Sequence, residues 1–388
     1  MMRPLHRALL AVVVALAAAG LLVILLQPRT ARLTSDFTIN YSAGMLVRQG
    51  HLAGPYQQDV LGETMRRVAP DGGIDPRLPF SLPLLAALPF AALSLLPIEV
   101  AFRVWQVVAA ALLMLAIFIL QRAQPLDRKA PMFAALGLLA AVPTWTALTE
   151  GQVSPLLVVG GALVIASLRA DGSMSAAGAG MLLAVKPQYL PAYLLVLFAS
   201  RKWRALPAAA VGATLVLMSP LAGGLGGIAA MLHNALSANQ AVAVRLDEAW
   251  IGVLGPALPA GAATVVAIVI YVVVLATLGV IAWRRPSSVI GFAILAPTLS
   301  LLASPHALPH DLLLLAVPAW LAVELYRAGR LPNPIPGMLL VDLALLIDLR
   351  SNALPLGPIV LTAVMIGYGW QFRQRTRQQR QPPSVRAA

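Results

Sequence analysis

Residues 9–26 read Leu-Leu-Ala-Val-Val-Val-Ala-Leu-Ala-Ala-Ala-Gly-Leu-Leu-Val-Ile-Leu-Leu, eighteen residues without a charge or a polar side chain. A helix over this stretch rises about 27 Å at ~1.5 Å per residue, close to the ~30 Å hydrocarbon core of a bilayer. Arg3 and Arg7 precede it, and Gln27-Pro28-Arg29 follows. A basic start before an apolar run is shared with signal peptides. Eighteen apolar residues exceed the usual signal core, however, and no small-x-small cleavage pattern follows, so the stretch reads as a first membrane span.

The rest of the chain has the same character. Of 388 residues 59% are hydrophobic and 11% charged, with a mean hydropathy of +0.82. Soluble domains carry about 25% charged residues, so the fold class is an all-α polytopic membrane protein. Further apolar stretches at 98–121, 131–148, 152–168, 174–186, 188–200, 205–222, 258–283, 287–303, 310–325, 335–349 and 353–370 raise the expectation to about twelve transmembrane helices. They form one membrane domain, 1–370, followed by a basic tail, 371–388, expected to be disordered and cytoplasmic. The apolar stretch 80–97 is broken by Pro83, Pro89 and Pro97 and reads as re-entrant or interfacial, a full crossing being the alternative.

Basic residues orient such a protein. With 80–97 re-entrant, 18 of the 28 Lys and Arg fall on the side of the termini and nine on the other, which predicts both termini cytoplasmic. A full crossing would turn Arg201-Lys202-Arg204 and Arg284-Arg285 outward. The same distribution accounts for the net charge of +13 without nucleic acid, because no basic run is interleaved with aromatics. The absence of Cys excludes disulfides, thiolate catalysis and Cys-ligated metals. No phosphate-binding Gly-rich loop, dinucleotide fingerprint or nucleophile elbow points to a soluble nucleotide cofactor, and no cofactor is expected. No sequence repeat of fixed period supports a duplicated transporter.

The polar exceptions are the candidate site. Segment 27–79 holds six Arg and five acids, Asp36, Asp59, Glu63, Asp71 and Asp75, and a polar loop this long is usually functional. Thr34-Ser35-Asp36 resembles a helix N-cap, and Phe37, Tyr41 and Met45 then recur at helical spacing up to Gly50, predicting a short helix on the membrane surface. Asp36 is either a cap or a general base whose pKa is raised beside an apolar wall. Glu150-Gly151-Gln152-Val153-Ser154 is either a turn or the source of an amide for a sugar hydroxyl. Lys186 interrupts an apolar stretch before Pro187, which makes it either a snorkelling cation or the counter-charge of a phosphate. His306 and His310 are four residues apart in Ser304-Pro305-His306-Ala307-Leu308-Pro309-His310-Asp311. Zinc would want them on one helical face, which Pro309 opposes, so no metal is expected and hydrogen bonding to a phosphate or sugar is the reading. Asp311 serves as a helix cap or fixes a His tautomer.

In order along the chain, Asp36-Phe37, Tyr41, Gly50, Pro55-Tyr56, Pro79-Phe80-Ser81-Leu82-Pro83, Gly151-Gln152-Val153-Ser154, Lys186-Pro187 and Ser304-Pro305 with His310-Asp311 resemble glycosyltransferase family 87. The resemblance spans roughly 9–325 and departs from the family's Tyr-Pro-Pro at Ser81-Leu82-Pro83. It implies a C-type glycosyltransferase fold and an inverting transfer of a sugar, mannose above others, from a polyprenyl-phosphate donor to a lipid or glycan acceptor. By matched position it makes Asp36 the base and Gln152, Lys186, His306 and His310 contacts of the donor phosphate and sugar. The implied partners are the lipid donor, the acceptor and membrane lipids, at the outer face of a cell inner membrane. Two other readings use a similar site: a transporter or flippase of lipid-linked sugars, and an O-antigen polymerase or ligase. A transporter calls for polar residues on both sides of the midplane, and a ligase for a large outer loop late in the chain. This sequence shows neither.

Overall fold

The computed structural model describes residues 4–70, 74–169, 172–241, 247–259, 261–284, 286, 288–350 and 355–380. Arg3, Asp71 and Arg285, and residues 381–388 of the basic tail, lie outside them. All regular elements among the described residues are helical. The N-terminal part comprises α1 (Pro4–Leu26), α2 (Arg29–Leu33), α3 (Asp36–Arg48), α4 (Gln58–Val68) and α5 (Leu88–Leu93). The central part runs through α6 (Ile98–Ala123), α7 (Ala130–Ala140), α8 (Val142–Thr149), α9 (Ser154–Arg169), α10 (Ser173–Leu183), α11 (Leu190–Ala199) and α12 (Ala205–Leu217). The remainder is α13 (Gly227–Ala241), α14 (Trp250–Leu254), α15 (Ala262–Trp283), α16 (Val289–Ala303), α17 (Ala316–Arg327), α18 (Ile335–Asp348) and α19 (Gly357–Arg380).

The expectation of about twelve spans is corrected. Among the described residues four helices are long and apolar enough to cross a membrane, Leu9–Leu26, Ile98–Ala123, Ala205–Gly223 and Ala262–Trp283. A fifth is added if α7 and α8, bent by 66° at their junction, count together. Proline is the cause. It stands in the first turn of α5, α7, α8, α11 and α18, where its missing N–H costs nothing but where it ends any helix arriving from upstream. Apolar runs that look continuous by hydropathy are therefore cut into pieces. Stretch 80–97 contains one helical piece, Leu84–Leu93, of ten residues, about 15 Å at ~1.5 Å per residue and too short to cross. At the other end α19 runs on to Arg380, so the boundary drawn at 370 falls inside a helix.

The pieces suit a membrane. Large apolar side chains such as Val107, Phe118, Val265, Val269, Val272 and Val273 are exposed along α6 and α15, and an apolar surface of this extent belongs against lipid. Between helices, small residues allow close approach. A Cβ on Gly180 would lie 1.9 Å from the Ala209 carbonyl oxygen, and one on Gly212 2.1 Å from that of Ala177, so α10 and α12 touch backbone to backbone.

The described residues of segment 27–79 include the helices α2, α3 and α4, and α3 is not a surface helix. Phe37 to Gly44 and Leu46 are buried. Ile39, Ala43 and Leu46 join Tyr56, Leu61, Met65, Phe80 and Leu84 in a small core of their own. Phe37 and Tyr41 belong instead to the main core with Phe90, Phe102 and Trp105. Thus α3 is clamped between both, which fixes where its first residue, Asp36, points.

Candidate active site

Asp36 is the first residue of α3, and Ser35 takes the N-cap position with extended backbone. The Ser35 hydroxyl turns back to the Arg32 carbonyl (2.6 Å) and makes no cap bond. The helix start is tied across the fold instead, where the Phe37 N–H donates to the Glu150 carbonyl (2.9 Å). Phe37 itself is fully buried and packs edge-on against Phe102, with ring centroids 5.1 Å apart, and against Phe90 at 5.8 Å. Such aromatic pairs contribute about 0.5–1.5 kcal/mol each beyond their buried area. The helix thereby delivers a carboxylate that its own cap does not consume.

The turn between α8 and α9 places two side chains beside it. Gly151 has φ +64°, and a Cβ there would come within 2.6 Å of Phe37 Cβ, so only glycine satisfies both the left-handed turn and the contact with Phe37. The Gln152 N–H donates to the Ala147 carbonyl (2.9 Å), and the Trp105 indole N–H to the Gln152 carbonyl (3.3 Å). So anchored, the Gln152 side-chain amide donates to Asp36 Oδ2. Glu150, on the other side of Gly151, places Oε2 2.9 Å from His310 Nδ1.

The sequence offers no partner for Lys186, and the fold supplies one. Lys186 lies between α10 and the turn Pro187–Tyr189. Its Nζ donates to Asp311 Oδ1 at 2.5 Å, with side-chain exposures of 12% and 1%, and lies 3.3 Å from His310 Nε2. Asp311 also accepts from the Leu308 N–H (3.3 Å) and the Ser154 hydroxyl (3.2 Å). It is therefore a helix cap and a counter-ion together. An ammonium can only donate, so the His310 Nε2 facing it accepts and the ring proton resides on Nδ1, directed at Glu150.

The structure thus brings Asp36, Gln152, Lys186 and His310 into one cluster and adds Glu150 and Asp311. His306 joins through a different partner. Its Nδ1 lies 3.2 Å from Asp247 Oδ2, so the two histidines face separate carboxylates. Asp247 was absent from the sequence reading. The available signal was that Asp247-Glu248 is the sole adjacent pair of acids in the chain, set between two apolar runs.

Burial pushes the Asp36 carboxyl above the usual carboxylate range, and neighbouring Glu150 raises it further, against the pull of His310, Lys186 and His306. The cluster lies at the end of the bundle where α1 stops: Gln27, just past α1, donates to the Thr149 carbonyl (2.7 Å), and Arg103 to those of Ile24 and Leu25. Asp36, Glu150 and His310 each bring a ligand atom within 4.8 Å of the others, close enough to share a divalent cation. Each is already served by Gln152 or by the Glu150–His310 hydrogen bond, and Lys186 adds a positive charge beside His310. The arrangement can accept a proton at Asp36 and stabilise negative charge at Lys186, which His310 and Asp311 hold in place.

No curated protein and no solved structure matches this chain. The model of glycosyltransferase family 87 matches residues 80–305, a stretch that holds Glu150, Gln152, Lys186 and Asp247 and leaves Asp36, His306 and His310 outside it. With more than half of its length matched, the chain belongs to glycosyltransferase family 87 and is a glycosyltransferase.

Proposed function

We propose that this chain transfers a sugar, mannose above others, from a polyprenyl-phosphate donor to a hydroxyl of a lipid or glycan acceptor, with inversion. The reaction takes place at the outer face of a bacterial inner membrane, with both termini cytoplasmic. The observation that carries this reading is the cluster itself, one carboxylate of raised pKa set against an ammonium and two imidazoles where α1 ends. A lipid-linked donor presents its phosphate at that depth.

The acceptor hydroxyl gives its proton to Asp36 as its oxygen attacks the anomeric carbon from the face opposite the phosphate. The bond from that carbon to the phosphate oxygen breaks, and its electron pair leaves with the phosphate, which passes from singly to doubly charged. Gln152 holds one Asp36 oxygen and leaves the other for the hydroxyl. Of the three Lys186 N–H groups, Asp311 and His310 take two, and the third is free for the developing charge.

The test is Asp36→Asn. The helix cap is Ser35, so the fold survives, and Asn still accepts from Gln152. Turnover of polyprenyl-phosphate mannose by the purified, monodisperse variant should fall 10²–10⁴-fold, the usual contribution of a positioned base. In the native protein transfer should fade as pH drops through an acid limb above the ordinary carboxylate range, because Asp36 must be ionised to act. Native turnover in Asp36→Asn rejects Asp36 as the base. In a strain lacking the protein, accumulation of an intact lipid-linked sugar, instead of loss of one glycosyl unit, indicates transport.

A further inference from the structure

The carboxylate that holds His306 has no place in the mechanism so far. Asp247 is 4% exposed, and all its hydrogen bonds are directed. Oδ1 accepts from the Ala249 N–H (2.9 Å) and the Ala307 N–H (3.0 Å), while Oδ2 faces His306 Nδ1 at 3.2 Å. A backbone bond in the reverse direction, from the Glu248 N–H to the Ala307 carbonyl (2.6 Å), closes the clamp. The His306 backbone is pinned as well: its carbonyl accepts from the Ser304 hydroxyl (2.7 Å) and the Tyr189 hydroxyl (3.3 Å). Among the described residues the His306 group left without a protein partner is Nε2, on a side chain 22% exposed. The ring is near enough for its charge to act on both Asp36 and Asp311.

We propose that Asp247 is a positioning residue of sugar transfer: it keeps the proton of His306 on Nδ1 and leaves Nε2 free, where the partly exposed ring takes up a second proton from solvent water as the leaving lipid phosphate gains its second charge. This rests on the reading of the site given above. A carboxylate clamped by two backbone N–H groups stays an acceptor, so Nδ1 must donate to it. When the phosphate gains its second charge, the imidazolium formed is flanked by a negative group on each side, Asp247 and the phosphate. Asparagine would keep the clamp, since its oxygen still accepts from Ala249 and Ala307, but its amide would donate to Nδ1. The His306 proton would then move to Nε2, and a second proton would have no carboxylate to balance it.

Two measurements on the intact protein in detergent test this. Nitrogen spectra of ¹⁵N-histidine-labelled protein, with the His306 signals assigned through His306→Gln, should show Nδ1 protonated in the native chain and unprotonated in Asp247→Asn. Addition of polyprenyl phosphate should protonate Nε2 in the native chain only. In transfer assays with polyprenyl-phosphate mannose, Asp247→Asn should lower kcat about 10- to 100-fold with an unchanged melting temperature. In a His306→Ala background the same substitution should cost nothing further. An unprotonated Nδ1 in the native chain, or equal losses from Asp247→Asn with and without His306, overturns the proposal and leaves Asp247 a loop clamp. Native protein that transfers no sugar from any lipid phosphate overturns the reading of the site instead, while the spectra still decide whether Asp247 sets the ring.

Discussion

Replacing Lys186 by Met removes the cation from a pair whose acid is 1% exposed. Asp311 then keeps the Leu308 N–H and the Ser154 hydroxyl, neither of which carries charge. Breaking a buried pair from one side costs about 3–5 kcal/mol, which should lower the apparent melting temperature by roughly 5–10 °C. The single variant therefore confounds stability with chemistry. The double variant Lys186→Met with Asp311→Asn separates them. It removes both charges, and Asn still accepts from Leu308. Neutral replacements of buried pairs are often without net cost, so the melting temperature should return near the native value. Turnover should stay low by about 10²–10³-fold, the usual loss when one donor to a developing anion is removed. Thermal melts in detergent and initial rates across donor concentrations read the two quantities. If Lys186→Met melts like the native protein, the buried pair is refuted. If the double variant recovers turnover together with stability, Lys186 is a structural cation and its role toward the phosphate is refuted.

Gly151→Ala should destabilise by about 2–5 kcal/mol, one part from the left-handed backbone and one from overpacking against Phe37, and should lower turnover by displacing Gln152; unchanged melting and rates would contradict the turn geometry. Glu248, 2% exposed and with Oε2 unpartnered among the described residues, has its pKa pushed up from 4.5 to about 8, by burial first and then by Asp348 and Asp247. The folded chain thus holds a proton that the unfolded chain has lost, so stability declines as pH rises from about 4.5 and the loss is complete above about 8. Melts from pH 5 to 9 should show that decline in the native chain and a flatter curve in Glu248→Gln, with a difference of about 5 kcal/mol as an upper bound; parallel curves would exclude it. Reporters fused after Arg204 and Arg285 should read cytoplasmic and one within 56–75 external, and an external signal after Arg204 would invert the topology.

The membrane class and the candidate polar residues were legible in the sequence. An uncharged run of eighteen residues at 9–26 cannot be dissolved in water, and it fixes the class before any contact is known. Each polar group in an apolar chain stands out because its desolvation must be compensated somewhere, which marked Asp36, Gln152, Lys186, His306 and His310 as candidates, and the family resemblance supplied the roles proposed for them. Three features needed the tertiary structure. Hydropathy averages over proline, so the cutting of apolar runs into α7 and α8, or into a 3₁₀ helix at Pro309–Leu315 followed by α17, does not show in it. Burial of α3 depends on Phe90, Phe102 and Trp105, which lie 53 to 68 residues away from Phe37 in the chain. Partnership is the least local property. Asp311 finds Lys186 across 125 residues and Asp247 finds His306 across 59, and a charge carries no mark in the sequence of which opposite charge will satisfy it once both are withdrawn from water.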